Sequence, residues 1–237
     1  MKIRIKFAKE GTMKFIGHLD IMRYFQKVMR RADVNIRYSG GFSPHQIMSF
    51  AAPLGVGMES RGEYVDIEVL STDSSIEMMR RINAVIGEEM EVLSYRLLPD
   101  DAANAMSIVA AADYIVSFRD AYAPSDWDGF ASGLQSFLNE EEIMILKKTK
   151  KGEKEMNLRP LIYELTAEED HRIRMKIATG SAANIKPDLV IRTYMETRGE
   201  TLAEFALKVT RTEVYGNRGT TEHPDLCPLA DFGEDIE

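Results

Sequence analysis

The segment Tyr38-Ser39-Gly40-Gly41-Phe42-Ser43-Pro44-His45 gathers an imidazole, an aromatic ring and hydroxyls around two adjacent glycines. Paired glycines reach backbone angles closed to other residues, so main-chain N–H groups can turn toward something polar or anionic. Upstream stand Arg23, Lys27, Arg30, Arg31 and Arg37. A flat ring beside cations is the equipment that holds an unstacked base and its phosphate. The residues expected to bind such a ligand are Arg23, Lys27, Arg30, Arg31, Arg37, Ser39, Gly40, Gly41, Phe42, Ser43 and His45. The bland alternative is a tight turn, which adjacent glycines also serve.

His18 and His45 invite a second chemistry. Histidine titrates near neutrality, so either one with Asp20 or Glu63 could form an acid–base pair in RNA or nucleotide chemistry. A metal would need further ligands, and Glu59 and Glu63 are the nearest after the glycine loop. No two histidines stand one helical turn apart, so no metal is assigned. Cys227 is the single cysteine, which excludes an internal disulfide and a thiolate-held iron–sulfur cluster; its neighbour His223 does not make it a reactive pair. Walker, dinucleotide-binding and nucleophile-elbow patterns are missing, and no cofactor is assigned to the chain.

Charge is unevenly spread. The 237 residues carry a net −8. Residues 1–50 hold ten lysines and arginines against three acids, so that stretch is +7 and the remainder −15. Phosphate affinity follows local cations rather than whole-chain charge. Hydrophobic residues at 44% and charged residues at 29% fit a soluble globular protein. No apolar run reaches the ~18 residues of a membrane span. The opening residues alternate charge with bulk rather than forming a signal-peptide core, so a reducing cytoplasm is expected.

These residues need elements to position them. Ile3, Ile5 and Phe7 alternate with Arg4 and Lys6 as a first strand. A helix is expected over 17–32, with Leu19, Met22, Phe25, Met29 and Ala32 on its apolar side and Asp20, Arg23, Lys27 and Arg31 opposite. Val34, Ile36 and Tyr38 read as a second strand ending in the glycine loop. Extended pieces follow at 47–51 and 63–70, the third strand being split by the loop around Pro53-Leu54-Gly55-Val56-Gly57. A helix over 74–86 and a strand over 90–97 complete a β-α-β-β-α-β order.

The second half repeats that order more loosely. Strands are expected at 114–118, 143–147, 161–165, 173–177 and 207–214. Helices are expected at 125–138 and from Pro187 to Gly199, with a lysine-rich turn over 147–154 pivoting on Gly152. The fold class is therefore α+β, two tandem ferredoxin-like units with antiparallel sheets. The expected domains are 1–99, a connection at 100–112, a second unit over 113–216, and a poorly ordered acidic tail from 217 to 237.

Phe15-Ile16-Gly17-His18-Leu19-Asp20, Arg30-Arg31-Ala32, the glycine loop through His45, Pro53-Leu54-Gly55-Val56-Gly57 and Glu63-Tyr64 together resemble a bacterial family of radical S-adenosylmethionine-linked proteins of unknown function. The resemblance covers roughly 1–215 and is most specific over 15–65. Position 17 is commonly serine in that pattern, and here it is glycine. The resemblance implies a radical S-adenosylmethionine protein as partner, encoded beside this domain or fused to it. The leading expectation is an accessory protein that presents structured RNA, or a nucleotide-containing substrate, to that enzyme. The alternatives are an RNA- or nucleotide-processing enzyme using His18 and His45, and a scaffold whose partner is protein alone.

Overall fold

Alternating apolar residues make β1 (Lys2–Lys9) a strand with one face for a core, in a computed structural model that describes residues 1–149, 152–181, 183–220 and 223–237. The chain is mixed α/β with antiparallel strand pairs and, among the described residues, five α-helices. It divides into two compact units, Met1–Ala110 with Arg211–Glu237, and Ala111–Thr210.

In the first unit, β1 lies antiparallel to β3 (Glu59–Glu68) and β4 (Met90–Leu98), with Ile5 opposite both Val65 and Tyr95. β2 (Met48–Ala51) pairs with β3 in turn, Phe50 opposite Val65, so the strands run β4-β1-β3-β2. Helices α1 (His18–Arg31) and α2 (Ser75–Asn83) cover the apolar face of this sheet. Ile21, Phe25, Val28 and Met29 of α1 and Met78 and Ile82 of α2 are buried there, each worth about 1.5–3 kcal/mol. Phe25 is the hub, with its ring 4.5 Å from Phe7 and 5.6 Å from Phe50.

The second unit holds a short helix-flanked sheet. β5 (Val109–Phe118), β9 (Arg172–Ala178) and β8 (Ile162–Ala167) are antiparallel neighbours in that order. Helices α4 (Trp127–Leu138) and α5 (Pro187–Thr197) meet where the Tyr194 hydroxyl donates to the Phe130 carbonyl at 2.6 Å. A separate hairpin joins β6 (Met144–Thr149) to β7 (Gly152–Asn157); Lys150 and Lys151, at the tip of the expected lysine-rich turn, lie outside the described residues. No helix among the described residues is long and apolar enough to cross a membrane.

Several boundaries differ from expectation. Residues 34–38 form no strand: Ile36 and Tyr38 make only single bridges, to Val69 and Gln46. The second and third strands are instead β2 and β3, and the 52–58 loop joins two separate strands rather than splitting one. Residues 100–112 are not a bare connection, because α3 (Ala105–Ile108) and the start of β5 occupy them. Leu19 belongs to the exposed side of α1, since the buried arc is centred on Ile21, Phe25 and Val28.

The acidic residues after 217 are not frayed where described. β10 (Leu207–Asn217) pairs through its end with β11 (Leu226–Pro228), and Leu229 in the short 3-10 turn that follows is fully buried. The Leu229 carbonyl accepts from Arg4 at 3.1 Å, and Ile236 exchanges hydrogen bonds with Ser75 at the start of α2. Arg4 is itself buried and bidentate to Asp66, so this segment supplies part of the cover for a buried charge pair.

Gly62 marks where β3 and β10 approach closely. A Cβ there would lie 2.8 Å from Glu213 Cα, inside contact distance of backbone that cannot rotate away. Gly62→Ala is expected to lower stability by about 2 kcal/mol in urea unfolding, whereas Gly40→Ala, with open space around it, should leave it unchanged.

Candidate functional site

Helix α1 ends at Arg31, and Asp33 then turns the chain through a left-handed conformation, φ 53°. Residues 37–47 therefore fold back beside the last turns of the helix. The Arg37 N–H donates to the Glu68 carbonyl at 2.7 Å, and the Ile47 N–H to the Arg37 carbonyl at 2.9 Å. The Ser39 N–H reaches the His45 carbonyl at 2.8 Å, which closes the glycine loop. Gly41 takes φ +96°, where a side chain would be strained, so one glycine of the pair has a backbone reason.

Between the helix and this loop is a cavity of about 170 Å³ lined by Gln26, Arg30, Tyr38, Pro44, His45 and Gln46. Ser39 orients the histidine. Its hydroxyl oxygen accepts the His45 N–H at 3.1 Å and lies 2.9 Å from His45 Nδ1, with the Ser43 carbonyl 3.4 Å from the same nitrogen. Both ring contacts use Nδ1, leaving Nε2 uncommitted among the described residues.

Gln46 is only 5% exposed, and its amide is held by geometry. Nε2 donates to the Gln26 carbonyl at 3.3 Å and to the Tyr38 hydroxyl at 3.4 Å. A carbonyl can only accept, so the nitrogen must face Gln26 and the oxygen must face away. Gln46 Oε1 is consequently buried with no hydrogen-bond partner. An acceptor left in that state costs about 1–3 kcal/mol, which a ligand N–H or O–H would recover once the side chain turned the oxygen toward the cavity.

The cations divide into groups. Arg30 lines the cavity, and Lys27, Arg30 and Arg31 are exposed with no ion pair among the described residues. Arg23 is tied to Asp20 at 3.0 Å in an exposed pair worth well under about 1 kcal/mol. Arg37 is drawn to Glu68 at 3.2 Å and does not line the cavity. Phe42 stands wholly exposed at the tip of the loop, its ring available as a stacking surface.

The four residues considered for acid–base work share no partner. The His18 ring packs edge-on against Phe50 at 5.3 Å, Asp20 holds Arg23, and His45 is held by Ser39. Glu63 is buried and paired with Arg211 at 2.7 Å, while Arg211 also donates to the Ala52 carbonyl at 2.8 Å. Among the described residues no three His, Cys, Asp or Glu side chains are grouped to hold a metal.

Glu63 and Arg211 have a third neighbour that sequence reasoning missed. Lys9 is 4% exposed, and burial pushes its ammonium below the ordinary lysine value of 10.5, with Arg211 adding to the effect and Glu63 opposing it. The folded state releases this proton at lower pH than the unfolded chain does. Lys9 therefore destabilises the fold at neutral pH, and stability rises as pH climbs from the lowered value toward 10.5. Lys9→Met should leave stability unchanged or raise it by about 1 kcal/mol at pH ~7, with the difference shrinking by pH ~10. Urea denaturation at both pH values would check this, and a large loss at neutral pH would show the amine to be stabilising.

A larger cavity of about 250 Å³ opens among Lys2, Met48, Ser49, Asp66, Glu68 and Asn104. Its charged groups are already engaged: Asp66 by Arg4, Glu68 by Arg37, and Lys2 by the Asp100 and Ala102 carbonyls. The smaller cavity, with an unpaired cation and an orphaned acceptor, is the better candidate.

Together these features define a mixed α/β protein with a polar recess between a cationic helix and a glycine loop. A family model described as an uncharacterized protein conserved in bacteria (DUF2344) matches residues 2–187, and the chain belongs to that family. No curated protein matches the chain.

Proposed function

We propose that this chain is an accessory protein to a radical S-adenosylmethionine enzyme and binds structured RNA, or a nucleotide-containing substrate, in the recess between α1 and the glycine loop. The observation that carries the binding reading is the cavity that presents Arg30 and His45, with the orphaned Gln46 oxygen buried beside it. A nucleobase amine would satisfy the oxygen, Arg30 would meet a phosphate, and Phe42 would stack on a neighbouring base. The partner enzyme rests on the resemblance carried by residues 15–65. The strand order β4-β1-β3-β2 with α1 and α2 supports a ferredoxin-like first unit, and the succession β5, α4, β8, β9, α5, with the β6–β7 hairpin inserted after α4, supports a second of the same kind.

Gln46→Leu tests the recess. In a protein that binds nothing there, this change removes an unsatisfied oxygen together with the two long hydrogen bonds of the amide nitrogen, and affects no ligand. In the proposed function it weakens binding of 5′-AMP about tenfold by calorimetry, with the thermal unfolding temperature moving by only a few degrees, since the lost oxygen and the lost amide hydrogen bonds offset one another. Equal affinity in both proteins would dispose of the recess as the site.

A further inference from the structure

Leu19, Arg23, Gln26 and Arg30 recur at helical spacing and so share one face of α1. At one end of that face lies the cavity beside His45. At the other, Leu19 is 61% exposed, and Phe15 and Ile16, exposed as well, precede it by a few residues. Lys14 Nζ stands 5.6 Å over the Phe15 ring and is held there by Glu59 at 2.8 Å. The 52–58 loop flanks it, the Gly57 N–H donating to the Lys14 carbonyl at 2.8 Å and presenting exposed Val56. Between the two ends project Arg23, Lys27 and Arg30, of which only Arg23 has an acidic partner among the described residues.

A polar recess and an apolar patch joined by a line of cations fit a chain that alternates flat rings with anions. We infer that a single-stranded RNA segment lies along α1, with one nucleotide in the recess and the following ones passing Arg30, Lys27 and Arg23 to stack on Phe15 and Leu19. This rests on the nucleotide reading of the recess and adds a length, a direction along the helix and a preference for unpaired strands. Fourteen residues of helix span about 20 Å, the reach of about four nucleotides, which is the short end of single-strand site sizes. A duplex cannot follow the path, since its bases are turned inward and offer no face to Phe15.

The test is a binding series at fixed salt with 5′-AMP, an adenylate dinucleotide, tetranucleotide and octanucleotide, and an RNA duplex. Affinity is expected to rise at least tenfold from the mononucleotide to the tetranucleotide, then level off, with the duplex binding more weakly than the tetranucleotide. The double variant Phe15→Ala with Leu19→Ala, both at exposed positions, should lower tetranucleotide affinity about tenfold and leave 5′-AMP binding unchanged. Equal affinity for mononucleotide and tetranucleotide, or a tetranucleotide indifferent to the double variant, overturns the path while leaving the recess reading in place. Failure of every probe, 5′-AMP included, overturns both.

Discussion

Replacing Arg211 by methionine is expected to lower the stability of the fold by about 3–5 kcal/mol. The guanidinium is 2% exposed and the Glu63 carboxylate it holds is 7% exposed, so removing one partner strands the other charge away from water. Arg211 also satisfies the Ala52 carbonyl, at a residue held in a left-handed backbone conformation, φ 43°. Lys9 stands near enough to feel both charges and would compensate only in part. Adding Glu63→Gln to Arg211→Met should therefore recover about 2 kcal/mol, a coupling of the size expected within one charge cluster. Urea unfolding of the two single variants and the double variant measures it. Additive losses would mean that the pair does not act as a unit, and a loss under about 1 kcal/mol would mean that the carboxylate is not stranded. A large loss that Glu63→Gln partly recovers ties Glu63 to the fold, which changes the meaning of any loss of function seen on mutating it.

Arg30→Glu with Arg31→Glu is expected to weaken single-stranded RNA binding by about a hundredfold or more at low salt. The change removes two cations and installs two acids beside the recess, where no acid now pairs with either arginine among the described residues. With Arg23, Lys27, Arg30 and Arg31 meeting phosphates, log affinity should fall against log salt with a slope of about −2 to −3 in the wild type, and about half that in the variant. Both side chains are exposed but lie in the last turn of α1, where acids oppose the helix dipole, so stability should fall by about 1–2 kcal/mol and leave the protein folded. Arg37→Glu is the matched control. Arg37 faces Glu68 rather than the recess, and its reversal should change affinity by only a few-fold. Binding that ignores salt and survives the double reversal would remove the cationic face from consideration.

Local patterns made much of the first unit legible. The alternation in β1 and the apolar arc of α1 are each written within a few residues. The glycine loop was legible for the same reason, and Arg30 could be placed near it because a helix of known phase precedes it. Val34, Ile36 and Tyr38 misled because alternation states which faces are apolar, not whether a partner strand runs alongside; β2 and β3 pair with one another instead.

Longer-range features left no local trace. Glu63 and Arg211 are far apart in the chain, and neither residue type announces burial. Gln26 and Gln46 belong to no motif, and Gln46 matters because its nitrogen is captured by one particular carbonyl. The segment after 217 looked frayed because acids dominate it. Leu226, Leu229, Phe232 and Ile236 nonetheless recur every three or four positions, and that sparse apolar spacing was the available signal that it packs.

The most direct measurement is a crystal structure of the protein with 5′-AMP. The expected map places adenine between Arg30, Tyr38 and His45, its amine within hydrogen-bonding distance of Gln46 Oε1, with the phosphate toward Arg30. An unchanged recess at saturating nucleotide, or nucleotide bound elsewhere on the molecule, would contradict it.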